Sequence, residues 1–190
     1  MKWIGQKDDL GLAVISFNEY YLARDVLFAP RYELFLPIKV SGPMSCNILA
    51  VWAYNHRSSL IDGKRRKSAT YDAITYYEDF LRQRPSLVAG DFNSNPSWPK
   101  AKRPKQFSET VEIFDKLGLT SAYHTWTNEI YGSETQPTLL FRKSTAKPKH
   151  IDYCFLPVGW SVTSVTILSG EYWTSQSDHF PLVVDIGFEP

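Results

Sequence analysis

Asp91 and Asn93 stand two residues apart in Leu87-Val88-Ala89-Gly90-Asp91-Phe92-Asn93-Ser94-Asn95-Pro96, where a short apolar run stops at a glycine. Such a run reads as a buried strand ending at a loop. Residues i and i+2 of a strand point the same way, so Asp91 and Asn93 should project together from a sheet rim, with Phe92 turned into the packing. A carboxylate can hold or deprotonate a water. A carboxamide can donate to a phosphoryl oxygen without adding charge. The pair suits hydrolysis of a phosphate ester. Taken alone, the stretch favours a polar turn, because Gly, Asp, Asn and Pro are the usual turn residues.

Two later stretches shift the balance towards chemistry: His150-Ile151-Asp152-Tyr153-Cys154-Phe155 and Ser177-Asp178-His179-Phe180-Pro181-Leu182. Asp152 begins an otherwise apolar strand, where an ionised carboxylate is costly unless paired. His179 has a carboxylate beside it at a strand mouth. An Asp152–His179 hydrogen bond would answer both problems, fixing the imidazole tautomer and raising its basicity.

The elements that must position these groups alternate between strands and helices. Leu12–Phe17, Arg31–Val40 and Asn47–Asn55 read as successive antiparallel strands, with Pro37 marking an edge or bulge and Gly42-Pro43 a turn. Ser68 offers an N-cap for a helix over Ala69–Arg84, where Tyr71, Ile74, Tyr77 and Leu81 recur at helical spacing. The strand Ser86–Gly90 comes next. A Pro-, Lys- and Trp-bearing loop over Asn95–Phe107 leads to a second helix capped by Ser108 and stopped by Gly118. Ser121–Trp126 is ambiguous. Thr138–Arg142, Ile151–Leu156, Val162–Leu168 and Phe180–Ile186 read as further strands.

At 190 residues the chain fits one domain, with no internal repeat and no linker-like stretch. A net charge of +1 makes no global argument for nucleic acid, but basic residues cluster near each candidate segment. Lys64-Arg65-Arg66-Lys67 is one run; Lys100, Lys102, Arg103 and Lys105 form another; Arg142, Lys143, Lys147 and Lys149 form a third. Together they suggest a phosphate-attracting face. Cys46 and Cys154 lie in apolar runs and read as buried free thiols of a reducing compartment. Met1–Gln6 lacks an apolar signal-peptide core, and no run approaches transmembrane length. The expected location is the cytoplasm.

Gly90-Asp91-Phe92-Asn93, Ile151-Asp152-Tyr153 and Ser177-Asp178-His179-Phe180-Pro181-Leu182, in this order and spacing, resemble the endonuclease/exonuclease/phosphatase superfamily. That group includes deoxyribonucleases, abasic-site endonucleases, sphingomyelinases and inositol polyphosphate 5-phosphatases. The resemblance covers most of the chain. It implies a four-layer α/β sandwich, two mainly antiparallel sheets packed face to face and flanked by helices. It implies a divalent cation, Mg²⁺ or alternatively Mn²⁺, and in-line attack by water. Asp91 would orient or deprotonate that water, Asn93 would stabilise the transition state, and His179 would contact the phosphate with Asp152 as its partner. Asp178 would belong to the metal cluster. Tyr54, with Asn55 as the alternative, would contact phosphate. Lys64, Arg65, Trp98 and Lys100 would hold a nucleic-acid substrate.

The pattern departs from the family at the start of the chain. The family has an Asn and then a metal-binding Glu at the ends of two strands that precede the matched region. Lys2-Trp3-Ile4-Gly5 resembles the segment after that Glu, and neither Glu19 nor Glu33 lies in its context. The chain thus reads as an N-terminally shortened member. An uncovered sheet edge open to self-association, and weak Mg²⁺ binding, are the expected consequences. The alternatives to a nuclease are a catalytically weak domain that binds nucleic acid or protein, and a phosphatase of inositol phosphates or lipid head groups.

Overall fold

In the computed structural model, which describes residues 1–7, 10–32, 34–53, 60–61, 64–65, 69–97, 107–145 and 148–187, a hairpin of β1 (Lys2–Lys7) and β2 (Leu10–Val14) comes first. β3 (Tyr21–Arg24), β4 (Phe35–Ser41) and β5 (Cys46–Trp52) follow as an antiparallel meander. A short pair, β6 (Leu60–Ile61) and β7 (Lys64–Arg65), precedes the helices α1 (Ala69–Tyr76) and α2 (Glu78–Arg82). β8 (Ser86–Asp91) then returns parallel to β5. After α3 (Phe107–Lys116), β9 (Leu119–Ser121) and α4 (Ala122–Thr127) come the two-residue strands β10 (Leu139–Leu140) and β11 (Pro148–Lys149). β12 (Asp152–Pro157) runs antiparallel to both β8 and β9. A second hairpin, β13 (Ser161–Ile167) and β14 (Leu182–Gly187), carries α5 (Glu171–Gln176) in its connection.

Six strands form one mixed sheet in the order β3-β4-β5-β8-β12-β9. Side chains alternate across it. Leu49, Val51, Val88, Tyr153 and Phe155 face the helices and pack with Ile74, Phe80, Val111 and Phe114. Phe92 anchors this layer, with ring contacts to Phe107, Phe114, Tyr153 and Phe155. On the opposite face, Ile4 joins Leu36, Ile38, Val40, Cys46 and Ala50 under the first hairpin. Ile167, Leu140, Phe180 and Tyr123 form a smaller cluster under the second. This is the expected α/β sandwich. Its second β layer consists, among the described residues, of two hairpins that share no strand pairing.

Several elements differ from the sequence reading. The expected single helix breaks at Tyr77, whose buried hydroxyl accepts a hydrogen bond from the Ala29 amide at 3.1 Å. Pro37 lies inside β4, not at an edge or bulge. It sits just past the last β3 pair, Arg24↔Ile38, and its carbonyl accepts from the Asp25 amide. α3 starts at Phe107, so Ser108 is inside the helix and not its cap. The strand expected over Thr138–Arg142 shrinks to β10 and turns through Arg142 and Lys143, both with left-handed φ of 55° and 57°. No sequence pattern marks β1, β3 and α5, and Tyr21–Arg24 and Glu171–Gln176 bury no residue. Cys46 and Cys154 are free thiols, the first buried and the second half-buried. No described helix is long and apolar enough to cross a membrane.

Candidate active site

β8 and β12 bring the two central carboxylates together, because their register places Asp152 directly opposite Asp91. Gly90 makes the approach to β5 workable. Its φ is +138°, and a Cβ there would lie 1.9 Å from the Val51 carbonyl oxygen. The Asp91 carbonyl accepts from the Ala53 amide, and the Phe92 amide donates to the Ile151 carbonyl, so Asp91 is tied to both neighbouring strands.

Asn93 reaches Asp91 by a different route from the expected strand alternation. β8 ends at Asp91, and Asn93 adopts a left-handed φ of 49°. Its amide donates to Asp91 Oδ1 at 2.7 Å, and its Nδ2 lies 3.4 Å from Asp91 Oδ2. This is a turn closed by the aspartate itself, as the residue types of the stretch favour, yet it still sets the carboxamide beside the carboxylate.

His179 arrives from the far end of the chain. Leu139 bridges to it, the Leu140 amide donates to the Asp178 carbonyl, and the Phe180 amide donates to the Thr138 carbonyl. Its Nδ1 lies 3.0 and 3.2 Å from the two Asp152 oxygens, as the sequence suggests. Nδ1–H then donates to the carboxylate and Nε2 is left for another partner. The ligand atoms of Asp91, Asp152 and His179 lie within 4.8 Å of one another.

The environment pushes these groups in useful directions. The Asp152 hydrogen bond outweighs burial and lifts the His179 pKa to about 8. Burial, and then the Asp152 charge, raise Asp91 to about 6. Asp178 is half-buried beside them, outside the three-residue group, and its charge acts on both Asp91 and His179. An acidic pair of this kind is relieved by a cation. The two carboxylates, with Asp178 beside them, are hard oxygen donors that fit a divalent metal, while His179 Nδ1 is committed to Asp152.

A second polar network braces the first, and the sequence reading does not find it. Thr138 is fully buried, and its hydroxyl accepts from the Ile151 and Asp152 amides at 3.0 and 3.1 Å. Asn95 Nδ2 contacts the His150 carbonyl, the Tyr153 hydroxyl and Glu134 Oε2 at 3.0 to 3.1 Å. Burial alone would raise the Glu134 pKa. Hydrogen bonds from His124, Gly132 and Asn95 outweigh it and bring it down to about 2. Asn95, Ser97, Glu134, Lys149 and His150 line a polar cleft, in which Asn95 follows Asn93 by two residues and His150 precedes Asp152 by two. Asn95 could have been suspected from its place two residues past Asn93. Glu134 and Thr138 lie where no periodicity singles them out.

Of the remaining expected residues, Tyr54, Asn55, Trp98 and Lys100 lie outside the described residues, and Lys64 and Arg65 form β7. In the third basic cluster Arg142, Lys143 and Lys149 are exposed.

No family model matches the chain, and no curated protein matches it. Solved structures do. An endonuclease/exonuclease/phosphatase from Beutenbergia cavernae superposes with a TM-score of 0.59 at 14% identity, over 90% of this chain and 44% of that one. The 3′ phosphatase NExo from Neisseria, bound to a product DNA hairpin, gives 0.59 at 15% identity, over 89% and 70%. A functionally unknown protein from Enterococcus faecalis gives 0.52 at 20% identity, over 81% and 56%. The chain thus spans about half the length of two of these and 70% of the third. In fold, this chain resembles the endonuclease/exonuclease/phosphatase proteins, whose α/β sandwich it shares.

Proposed function

We propose that this protein is a divalent-metal-dependent phosphoesterase that hydrolyses phosphodiester bonds of nucleic acid. The observation that carries the reading is the Asp91–Asp152–His179 cluster at one sheet end, with two groups held in opposite protonation states near neutrality. Above about pH 6 Asp91 is ionised, yet basic enough to take a proton from an attacking water. Below about pH 8 His179 is an imidazolium, oriented by Asp152 and able to donate from Nε2 to a phosphoryl oxygen. Asn93, held against Asp91, adds a neutral donor. Asp152 and Asp178 would hold Mg²⁺ or Mn²⁺, which leaves Asp91 for the attacking water. Such an ion neutralises charge developing on the phosphoryl group.

Nucleic acid is the favoured substrate because Arg142 and Lys143 form an exposed basic turn just beyond β10, the strand bridged to His179. Two successive left-handed residues cost backbone energy, and such strain concentrates at functional sites. The DNA-bound Neisseria structure supports the same choice. A second reading, a weakly catalytic binding domain, is favoured by the ligand count, since Mg²⁺ prefers six oxygen ligands and three groups converge among the described residues. Incubation of a labelled oligonucleotide, and separately of an inositol polyphosphate, with the chain in Mg²⁺, Mn²⁺ or EDTA tests the proposal. Metal-dependent cleavage of the oligonucleotide is expected. Binding without cleavage would support the second reading, and release of phosphate from the inositol substrate alone would move the assignment to small phosphomonoesters.

A further inference from the structure

β12 is flanked unequally. β8 pairs with it from Asp152 to Phe155, while β9 pairs with its other edge only at Phe155, Leu156 and Pro157. On that second edge no described strand lies beside Ile151 and Asp152. Thr138 takes the vacant place. Its buried hydroxyl accepts from the Ile151 and Asp152 amides at 3.0 and 3.1 Å. Successive amides of an extended strand point to opposite edges. Two successive amides aimed at one oxygen mark the turn by which the chain enters β12. Thr138 Oγ1 thus sets where the strand begins, and Asp152 is its first residue.

The same residue holds His179 through its main chain. The Thr138 carbonyl accepts from the Phe180 amide at 2.7 Å, the Leu140 amide donates to the Asp178 carbonyl at 2.8 Å, and Leu139 bridges to His179 between them. A ring of bonds results. It runs from Asp152 to the Thr138 side chain, through the Thr138 main chain to Phe180 and His179, and from His179 Nδ1 back to Asp152. The closing contacts, 3.0 and 3.2 Å, lie at the long end of the range for such a bond. A displacement of about 0.5 Å at Asp152 would break them.

We propose that Thr138 is a positioning residue: its hydroxyl fixes the start of β12 and so the Asp152 carboxylate, and through that carboxylate it holds the His179 ring with Nδ1 on Asp152 and Nε2 left for the substrate. The last step rests on the phosphoesterase reading; the placement of the pair does not. The chemistry of the position follows from the two bonds it accepts. A hydroxyl oxygen offers two lone pairs in the volume of a methyl group. Valine has nearly the same shape and offers none, so the Ile151 and Asp152 amides would be left buried and unpaired, and the turn would move to satisfy them. Serine keeps the oxygen.

The test compares Thr138→Val and Thr138→Ser with Ser86→Ala, whose lost hydroxyl bonds the Leu81 and Arg84 carbonyls at the end of β8 opposite Asp91. Ser86→Ala is the control for a buried hydroxyl that matters to stability alone. With the chain in EDTA at about pH 10, where a histidine ring is neutral, the nitrogen NMR shifts of His179 report the ratio of its Nδ1–H and Nε2–H tautomers. Thr138→Val should move this ratio towards Nε2–H by about tenfold, the worth of one hydrogen bond to a carboxylate. Thr138→Ser and Ser86→Ala should leave it within about twofold. On a labelled oligonucleotide in Mg²⁺, Thr138→Val should lower kcat by about tenfold with KM within about twofold, and Thr138→Ser should restore it. Should Thr138→Val not fold, exchange of the Ile151 and Asp152 amides in the unaltered chain decides, and rates as fast as those of exposed backbone would overturn the proposal. So would an unmoved tautomer ratio in folded Thr138→Val, even with kcat lowered, or an equal movement in Ser86→Ala. The tautomer ratio requires no hydrolysis. Absence of turnover in every form, with the ratio moved as expected, would overturn the phosphoesterase reading and uphold the placement of the pair by Thr138.

Discussion

On the helix side of the large sheet, Leu49, Val88, Tyr153 and Phe155 are at most 1% exposed beneath α1, α2 and α3. One residue along the same strands, on the hairpin side, Ile48, Leu87, Ala89 and Cys154 remain half-buried. The carboxylates Asp91 and Asp152 belong to the second, more open face. The contrast shows how one sheet divides its duties. The sealed face holds most of the apolar burial that stabilises the domain. The open face can tolerate like charges, because water or a cation reaches them.

Truncation on the two faces breaks or sharpens this contrast most strongly. Phe155→Ala should cost about 3–5 kcal/mol in urea unfolding, the range for a large side chain removed from a closed core. Leu87→Ala, on the open face, should cost about 1–2 kcal/mol. Equal costs would show that the second face is as well covered as the first. Gly90→Ala comes next, at about 2 kcal/mol or more, since it adds a Cβ 1.9 Å from the Val51 oxygen at a φ of +138°.

A smaller effect separates stability from chemistry on the open face. Without a bound cation, the folded-state pKa of Asp91 is about 6, against an ordinary value of 3.8. The folded state therefore binds the extra proton between these values, and its stability falls as pH rises from about 4 through about 6. Asp91→Asn keeps the Oδ1 acceptor for the Asn93 amide and removes the buried charge. It should raise Tm by a few degrees above pH 6 and change it little below pH 4. A lower Tm above pH 6 would mean that the Asp91 charge is compensated in the fold. The smallest effect is local. His179 owes its raised pKa first to the Asp152 hydrogen bond. Asp152→Asn in the metal-free protein should bring its titration, followed by NMR, from about 8 down towards roughly 6.5. An unchanged midpoint would place the cause elsewhere.

The parts of this structure legible in the sequence are those set by local apolar pattern. β4, β5, β8, β12 and β14 carry runs whose ends fall within a few residues of the observed limits. The convergence of Asp91, Asp152 and His179 is legible through the ordered motifs around them. What tertiary contacts decide is not legible. The helix break at Tyr77 accompanies a hydrogen bond to Ala29, 48 residues away. The support under Asp152 comes from the hydroxyl of Thr138, which the sequence places at a strand start without marking that role. β3 has four residues and buries none, and in β1 Ile4 is buried by what lies beside it. Asn93 stands beside Asp91 as its spacing suggests, but a local turn, and not strand periodicity, carries it there.

The central claim is that the Asp91–Asp152–His179 cluster hydrolyses phosphodiesters, and turnover of a labelled oligonucleotide by Asp91→Asn in Mg²⁺ at pH 7 tests it most directly. The predicted result is a loss of on the order of 10²-fold or more, in a protein whose Tm is unchanged or higher. Turnover equal to that of the unaltered chain would place the chemistry outside this cluster.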